Sequence, residues 1–218
     1  MRIEIISDTI CPWCFIGKRR LAQALRQRPE LQVEITWRPF QLNPDMPREG
    51  MDRQSYLTAK FGSEANSAEI YARVAEAGRG EGIAFNFAGI PRTPNTLDSH
   101  RLIRWAGESG AQDRVVELLF RRYFLDAEDI GDSRVLAAVA AEAGMDGAWV
   151  AEALAGDNDL DLVRAEDRFA RELGVSGVPC FVLERKYAIS GAQEPAAFLQ
   201  AFEQIAAEAA AETVPAAS

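Results

Sequence analysis

One histidine and three cysteines among 218 residues leave this chain short of transition-metal ligands. Cys11 and Cys14 stand together, but Cys180 and His100 are far off in sequence and lack the paired spacing of a four-ligand zinc centre. Excess positive charge is also missing, since 24 Lys and Arg face 33 Asp and Glu for a net charge of −9. Nucleic acid is bound by a basic face and anionic membranes attract basic segments, so neither is an expected partner. No apolar run approaches the roughly 20 residues that cross a bilayer. The first residues read as a strand, without the charged, apolar and small-residue succession of a secretory leader. With an odd number of cysteines and no export signal, the expected location is cytoplasmic and reducing. There is no internal repeat and no linker-like shift in composition. The length suits one large domain, or one domain carrying an insertion.

What the chain does have is Cys11-Pro12-Trp13-Cys14, directly after the apolar run Ile3-Glu4-Ile5-Ile6. A strand ending at a C-x-x-C that opens a helix suits a dithiol redox site. Unpaired N–H groups and the positive end of the helix dipole favour a thiolate at the first sulfur. Pro12 fits the first helical position, where its missing N–H would have had no intrahelical partner. Two intervening residues keep both sulfurs on one turn. Cys11 is therefore expected to be the exposed nucleophile and Cys14 the deeper, resolving thiol. The competing readings are a pair of packing cysteines or half of a zinc site, and the ligand shortage tells against the second.

The helix that follows is expected to reach about Arg28, before Pro29. Val33, Ile35 and Trp37 then alternate with polar residues as a half-buried strand. From about Asp52 to Glu172 the period is helical throughout. Ser67 reads as the cap of a helix carrying Ile70, Val74 and Ala77, residues 85–93 as a loop, and Asn95 or Thr96 as the next cap. Further helices carry Val115 to Phe124, Val135 to Val139 and Trp149 to Leu154. Leu162, Ala165, Phe169 and Leu173 mark the last helix before Gly174. Phe181-Val182-Leu183 and Tyr187-Ala188-Ile189 pair as a hairpin about Glu184-Arg185-Lys186, and a closing helix buries Phe198, Leu199, Phe202 and Ile205. This order predicts an α/β thioredoxin fold with a large inserted helical subdomain. Residues 1–50 and 160–211 form its discontinuous thioredoxin-like domain, 51–159 the insert and 212–218 a frayed tail.

The chain resembles the DsbA-like thiol-disulfide oxidoreductases of the thioredoxin-fold superfamily, in their FrnE-type branch. The resemblance rests on Ser7-Asp8 with the dithiol, Gly17-Lys18-Arg19, Trp37-Arg38-Pro39-Phe40, Asn95-Thr96 and His100-Arg101-Leu102. It continues through Gly174-Val175, Gly177-Val178-Pro179 and Ser190-Gly191-Ala192-Gln193, so it spans nearly the whole chain. It implies that Pro179 is a cis-proline opposite the dithiol, an uncommon isomer. It also implies that the Val178 backbone is turned toward the site to pair with substrate. Pro12 and Trp13 complete the expected substrate-binding set, with the neutral indole as an apolar docking surface. Asp8 is either a proton partner for Cys14 or an ordinary helix cap. His100 is either a lining residue or a contact between subdomains. Cys180 is read as a small buried hydrophobe, against the alternative of a third redox sulfur.

The implied activity is thiol–disulfide exchange through a mixed disulfide, as oxidoreductase or isomerase. No bound cofactor or metal is needed, glutathione fits as redox partner, and thiols or disulfides, protein or small molecule, are the substrates of a monomer or homodimer. Two alternatives stand beside this one. Glutathione-dependent small-molecule isomerases and kappa-type glutathione transferases share the architecture but typically carry serine where Cys11 stands. The insert could instead act as a partner-binding or holdase surface, with the dithiol incidental.

Overall fold

The computed structural model describes residues 1–212. Strand β1 (Arg2–Ser7) alternates its apolar side chains across a sheet. Ile3 and Ile5 join one buried cluster, and Ile6 joins another with Phe40, Ala170 and Cys180. Strand alternation puts these clusters on opposite faces. β1 runs parallel to β2 (Glu34–Pro39), with Ile5 opposite Trp37, and antiparallel to β5 (Cys180–Leu183), with Ile6 opposite Cys180. β6 (Tyr187–Ser190) completes the order β2-β1-β5-β6. The β5–β6 turn is left-handed at Glu184 (φ 50) and Arg185 (φ 55).

Helices α1 (Pro12–Arg26) and α9 (Pro195–Glu212) pack together beside this sheet. Phe198 and Phe202 of α9 are fully buried, and Phe198 meets Phe181 edge-on with ring centroids 4.9 Å apart. Burying each such ring stabilises the fold by about 1.5–3 kcal/mol. Between β2 and β5 the chain forms a two-stranded ladder, β3 (Met51–Asp52) with β4 (Arg92–Thr93). It also forms helices α2 (Arg53–Phe61), α3 (Glu64–Gly80), α4 (Leu97–Glu108), α5 (Gln112–Phe124), α6 (Ser133–Glu142), α7 (Gly147–Ala155) and α8 (Leu160–Glu172). The molecule is a thioredoxin fold with a helical insert.

α1 is clasped by the segments between β2 and β5 and by the residue ahead of α9. Lys18 reaches Asp113 at 2.9 Å and Glu117 at 3.3 Å, Arg19 also holds Glu117, and Arg20 pairs with Glu81 and Glu194, each at 2.7 Å. Phe15, one residue past the dithiol, stacks on Phe120 of α5 at 5.1 Å. The aromatic residues of this region are therefore core.

Several local expectations need correction. α1 ends at Arg26, and Gln27 and Arg28 fold back onto Ala24 and Leu25 in a closing turn. The stretch after Asp52 is not wholly helical, because a ladder of two residue pairs is too short to show a period of two. Ser63, not Ser67, caps α3 by accepting from Asn66 N, whereas Ser67 Oγ donates to Glu64 O inside the helix. Thr96 occupies the cap position of α4, but the Asn95 side chain accepts from Leu97 N at 2.9 Å. On α8 the apolar stripe points outward: Leu162, Phe169 and Leu173 are 49%, 59% and 65% exposed, and Val163, Asp167 and Ala170 are buried instead. α9 includes residue 212, and the rest of the expected tail, 213–218, lies outside the described residues.

Candidate active site

The segment between β1 and α1 turns sharply, with Cys11 N donating to Asp8 O and Cys14 N to Cys11 O, both at 3.0 Å. Cys11 stands at the N-cap without a side-chain cap, and Pro12 opens the helix. The first sulfur therefore sits where the helix leaves N–H groups unpaired. All three cysteines are free thiols. Cys11 is not the exposed residue expected of it, being only 4% accessible against 1% for Cys14. Trp13, at 38%, is the open part of the motif. Burial pushes the Cys14 thiol well above its ordinary pKa, and its hydrogen bond and charge interaction with Cys11 raise it further. Contacts from the Ser7 side chain and the Asp8 backbone oppose this only in part. Cys14 is thus held protonated behind Cys11.

The Val178–Pro179 peptide is cis, as the resemblance implies. Cys11 Sγ donates to Val178 O at 3.5 Å, so the backbone ahead of the proline does face the first sulfur. Gly17 lets α1 come this close. A Cβ there would meet the Phe181 ring at 3.0 Å and the Pro179 ring at 3.1 Å. Pro179 O in turn accepts from Gly191 N at 2.8 Å, which ties the Ser190–Gln193 segment to the same loop.

Asp8 is fully buried and does not cap α1. Its Oδ2 accepts from Leu42 N at 2.7 Å, and its Oδ1 lies 3.4 Å from Nε2 of His100, itself 3% exposed. Neither of these facing atoms has a hydrogen-bond partner among the described residues. Thr9 and Ser99 hydroxyls add a 2.8 Å hydrogen bond beside them. His100 is therefore a buried contact from α4 to the segment that leads into the dithiol. Cys180 pairs with Ile6 in the ladder and packs with Phe40 and Ala170, in the cluster that excludes Cys11. Its thiol is also pushed up by burial.

Residues that sequence reasoning passed over support this arrangement. The fully buried Arg101 guanidinium donates to the carbonyls of Ala153, Leu154, Gly156 and Asn158 and to Asp98. It thereby satisfies the C-terminal end of α7 from outside the helix. Gln112 accepts from Trp37 N at 2.8 Å and donates to Trp37 O at 3.3 Å, standing in for a neighbouring strand. Arg101 had a signal in its place beside His100 in the resemblance, whereas Gln112 had none.

A dithiol at a helix start, facing a cis-proline in a thioredoxin fold interrupted by helices, defines the DsbA-type class. The family model for the DSBA-like thioredoxin domain matches residues 2–203, and the chain belongs to that family. It is similar to the crystal structure of a probable DsbA oxidoreductase from Streptomyces coelicolor, with 35% identity and a TM-score of 0.85 over 100% of this chain and 93% of that one. It is 26% identical, over 84% of its length and 86% of the relative's, to the uncharacterized protein YwbO of Bacillus subtilis. The cytosolic disulfide reductase DsbM from Pseudomonas aeruginosa, in its structure with GSH, shares the fold at 17% identity and a TM-score of 0.63, over 94% and 98% of the two chains.

Proposed function

We propose that this chain is a cytoplasmic thiol–disulfide oxidoreductase or isomerase working through Cys11 and Cys14. The observation that carries the reading is the Cys11 sulfur 3.5 Å from the Val178 carbonyl, ahead of cis-Pro179 and above the buried Cys14. In the reducing direction the Cys11 thiolate attacks one sulfur of a substrate disulfide. A mixed disulfide forms as the other sulfur leaves as a thiolate and takes up a proton. Cys14 then loses its proton and attacks Cys11 Sγ. The substrate's second thiol leaves, and a Cys11–Cys14 disulfide holds the two-electron oxidation. The reverse sequence oxidises a dithiol. Trp13 offers an apolar platform to the substrate, and the Val178 backbone pairs with a substrate chain. Asp8 and His100 set the segment that carries Cys11.

Glutathione is the proposed reductant of the Cys11–Cys14 disulfide, a reading supported by the fold likeness to the GSH-bound reductase. Substrates are protein or small-molecule thiols and disulfides, met by a monomer or homodimer. The intact cysteine pair disfavours the alternatives of a glutathione-dependent small-molecule isomerase and a kappa-like glutathione transferase. The outward apolar residues of α8 favour a second reading, partner binding or a holdase surface that does not need the dithiol.

The deciding experiment is a redox titration of the Cys11–Cys14 couple against glutathione, combined with trapping. Wild type should equilibrate as one two-electron couple, Cys14→Ser should accumulate a mixed disulfide at Cys11, and Cys11→Ser should do neither. Aggregation protection that persists without both cysteines, with no exchange activity in wild type, would favour the holdase reading.

A further inference from the structure

Asp8 and His100 need a proton between them. An ionised carboxylate oxygen only accepts a hydrogen bond, and a ring nitrogen without hydrogen does the same. Asp8 Oδ1 and His100 Nε2 are buried 3.4 Å apart, and no other group among the described residues hydrogen bonds to either. Two bare acceptors in a desolvated interior repel, so a proton between them is what makes this approach tolerable. A neutral imidazole or an imidazolium can supply it, and histidine is the side chain whose charge ordinarily changes between about pH 5 and 8.

The pair connects the dithiol turn to an open cavity. Asp8 O accepts from Cys11 N at 3.0 Å, so Asp8 and Cys11 close one turn of chain. Ser99 Oγ donates to Thr96 O at 2.8 Å, which leaves Thr9 to donate to Ser99 Oγ, also at 2.8 Å. α4 therefore holds this turn at two successive residues. His100 also lines a cavity of about 450 Å³ formed by β2, α4, α5 and α8. The other charges of the cavity are spent elsewhere: Arg38 of β2 and Arg104 of α4 share Glu166 of α8, Asp113 of α5 holds Lys18, and Glu34 and Glu108 are exposed. No titratable residue of α6 or α7 lines it among the described residues. Asp8, from the segment between β1 and α1, is the acid within ion-pair distance of His100.

We propose that His100 is a positioning residue for exchange, which takes up a proton from the cavity when Cys11 becomes a thiolate and releases it when the dithiol is oxidised. The proposal rests on the exchange reading above and adds its proton linkage. Two donor thiols, oxidised to a disulfide, deliver two electrons and release two protons. The Cys11–Cys14 disulfide takes the electrons, Cys14 keeps one proton, Cys11 stays a thiolate, and the second proton is taken up at His100. The imidazolium closes on Asp8 in a charge-assisted hydrogen bond and offsets the negative charge that the thiolate adds to the turn. Burial of Asp8, Cys11 and Cys14 keeps solvent from screening these charges.

His100 is the chain's one histidine, so a single imidazole resonance reports it in untagged, full-length protein. In NMR titrations from pH 5 to 8.5, reduced wild type should bind the His100 proton about tenfold more tightly than the disulfide form. Cys11→Ser, which lacks the thiolate, should titrate like the disulfide form, and Asp8→Asn should weaken proton binding in both redox states. Linkage is reciprocal. His100→Gln keeps a donor for Asp8 but cannot gain charge, so it should weaken thiolate formation at Cys11 by a similar factor, read from thiolate absorbance against pH. Equal proton affinity in the two redox states, no titration of the ring in this range, a Cys11→Ser midpoint equal to that of reduced wild type, or an unchanged thiolate titration in His100→Gln would overturn the proposal. Failure of the exchange reading shows separately, as a lack of mixed disulfide in Cys14→Ser.

Discussion

Asp8 Oδ1 and His100 Nε2 face each other across 3.4 Å of protein interior, each without a hydrogen-bond partner among the described residues. One stands three residues ahead of Cys11 and the other on α4, so the pair joins the dithiol segment to the insert. Removing one member of a buried polar pair leaves the other facing an apolar group, at a cost of roughly 1–3 kcal/mol. His100→Leu should lower stability to urea by about that amount, and Asp8→Asn combined with His100→Gln should lose less than the sum of the two single changes. Strict additivity would show that the two residues do not interact.

Oxidation should link Cys11 to Cys14 and leave Cys180 free. The ladder sets Cys180 opposite Ile6, among side chains on the sheet face away from the Cys11 cluster. A disulfide needs converging Cβ vectors and Cα atoms within about 7 Å. Peptide mapping without reduction should yield the Cys11–Cys14 peptide, and a substantial Cys11–Cys180 peptide would contradict the packing.

Arg101 is the strongest single support within the insert. Its donors reach four carbonyls around the end of α7, at distances from 2.7 to 3.4 Å. Arg101→Met should cost on the order of 3 kcal/mol or more, because several buried acceptors lose a charged donor. Arg101→Lys should recover only part of this, since an ammonium lacks the planar fork. A change within about 0.5 kcal/mol in a urea melt would refute the assignment.

Stability should fall on the alkaline side. Burial raises the pKa of Cys14, Cys180, Tyr71 and Tyr123 in the folded chain. The unfolded chain releases these protons first, its cysteines near about 8.5 and its tyrosines near about 10. The contribution is therefore complete below about pH 8.5 and is lost as pH rises beyond it. Urea midpoints should decline steadily from pH 8 to 10.5, with a shallower decline in Cys14→Ala. A flat profile would mean that these groups are solvated.

Much of this arrangement could be read from residue order. The dithiol after an apolar strand, the alternation about Trp37 and the terminal hairpin and helix each have a local pattern that survives in the fold. α8 shows where pattern fails. Leu162, Phe169 and Leu173 share one helical face, and Val163, Asp167 and Ala170 share a face rotated by one residue. The second is buried despite its aspartate, because Asp167 accepts from Gln41 N and pairs with Arg171. Only a tertiary partner makes that charge tolerable, and no count of apolar residues reveals the partner. The burial of Cys11 escapes the sequence for a related reason. The helix start predicts a favourable field at its sulfur but says nothing of the Val178–Pro179 loop that covers it.

The Gln112 carboxamide has an effect beyond holding α5 to β2. By occupying both the donor and the acceptor of Trp37, it blunts an edge on which a strand from another molecule could otherwise be templated. Sheet extension is blocked at Trp37, where both backbone groups are already paired. Gln112→Ala would reopen the β2 edge at Trp37 and favour ladder-like contacts between copies there.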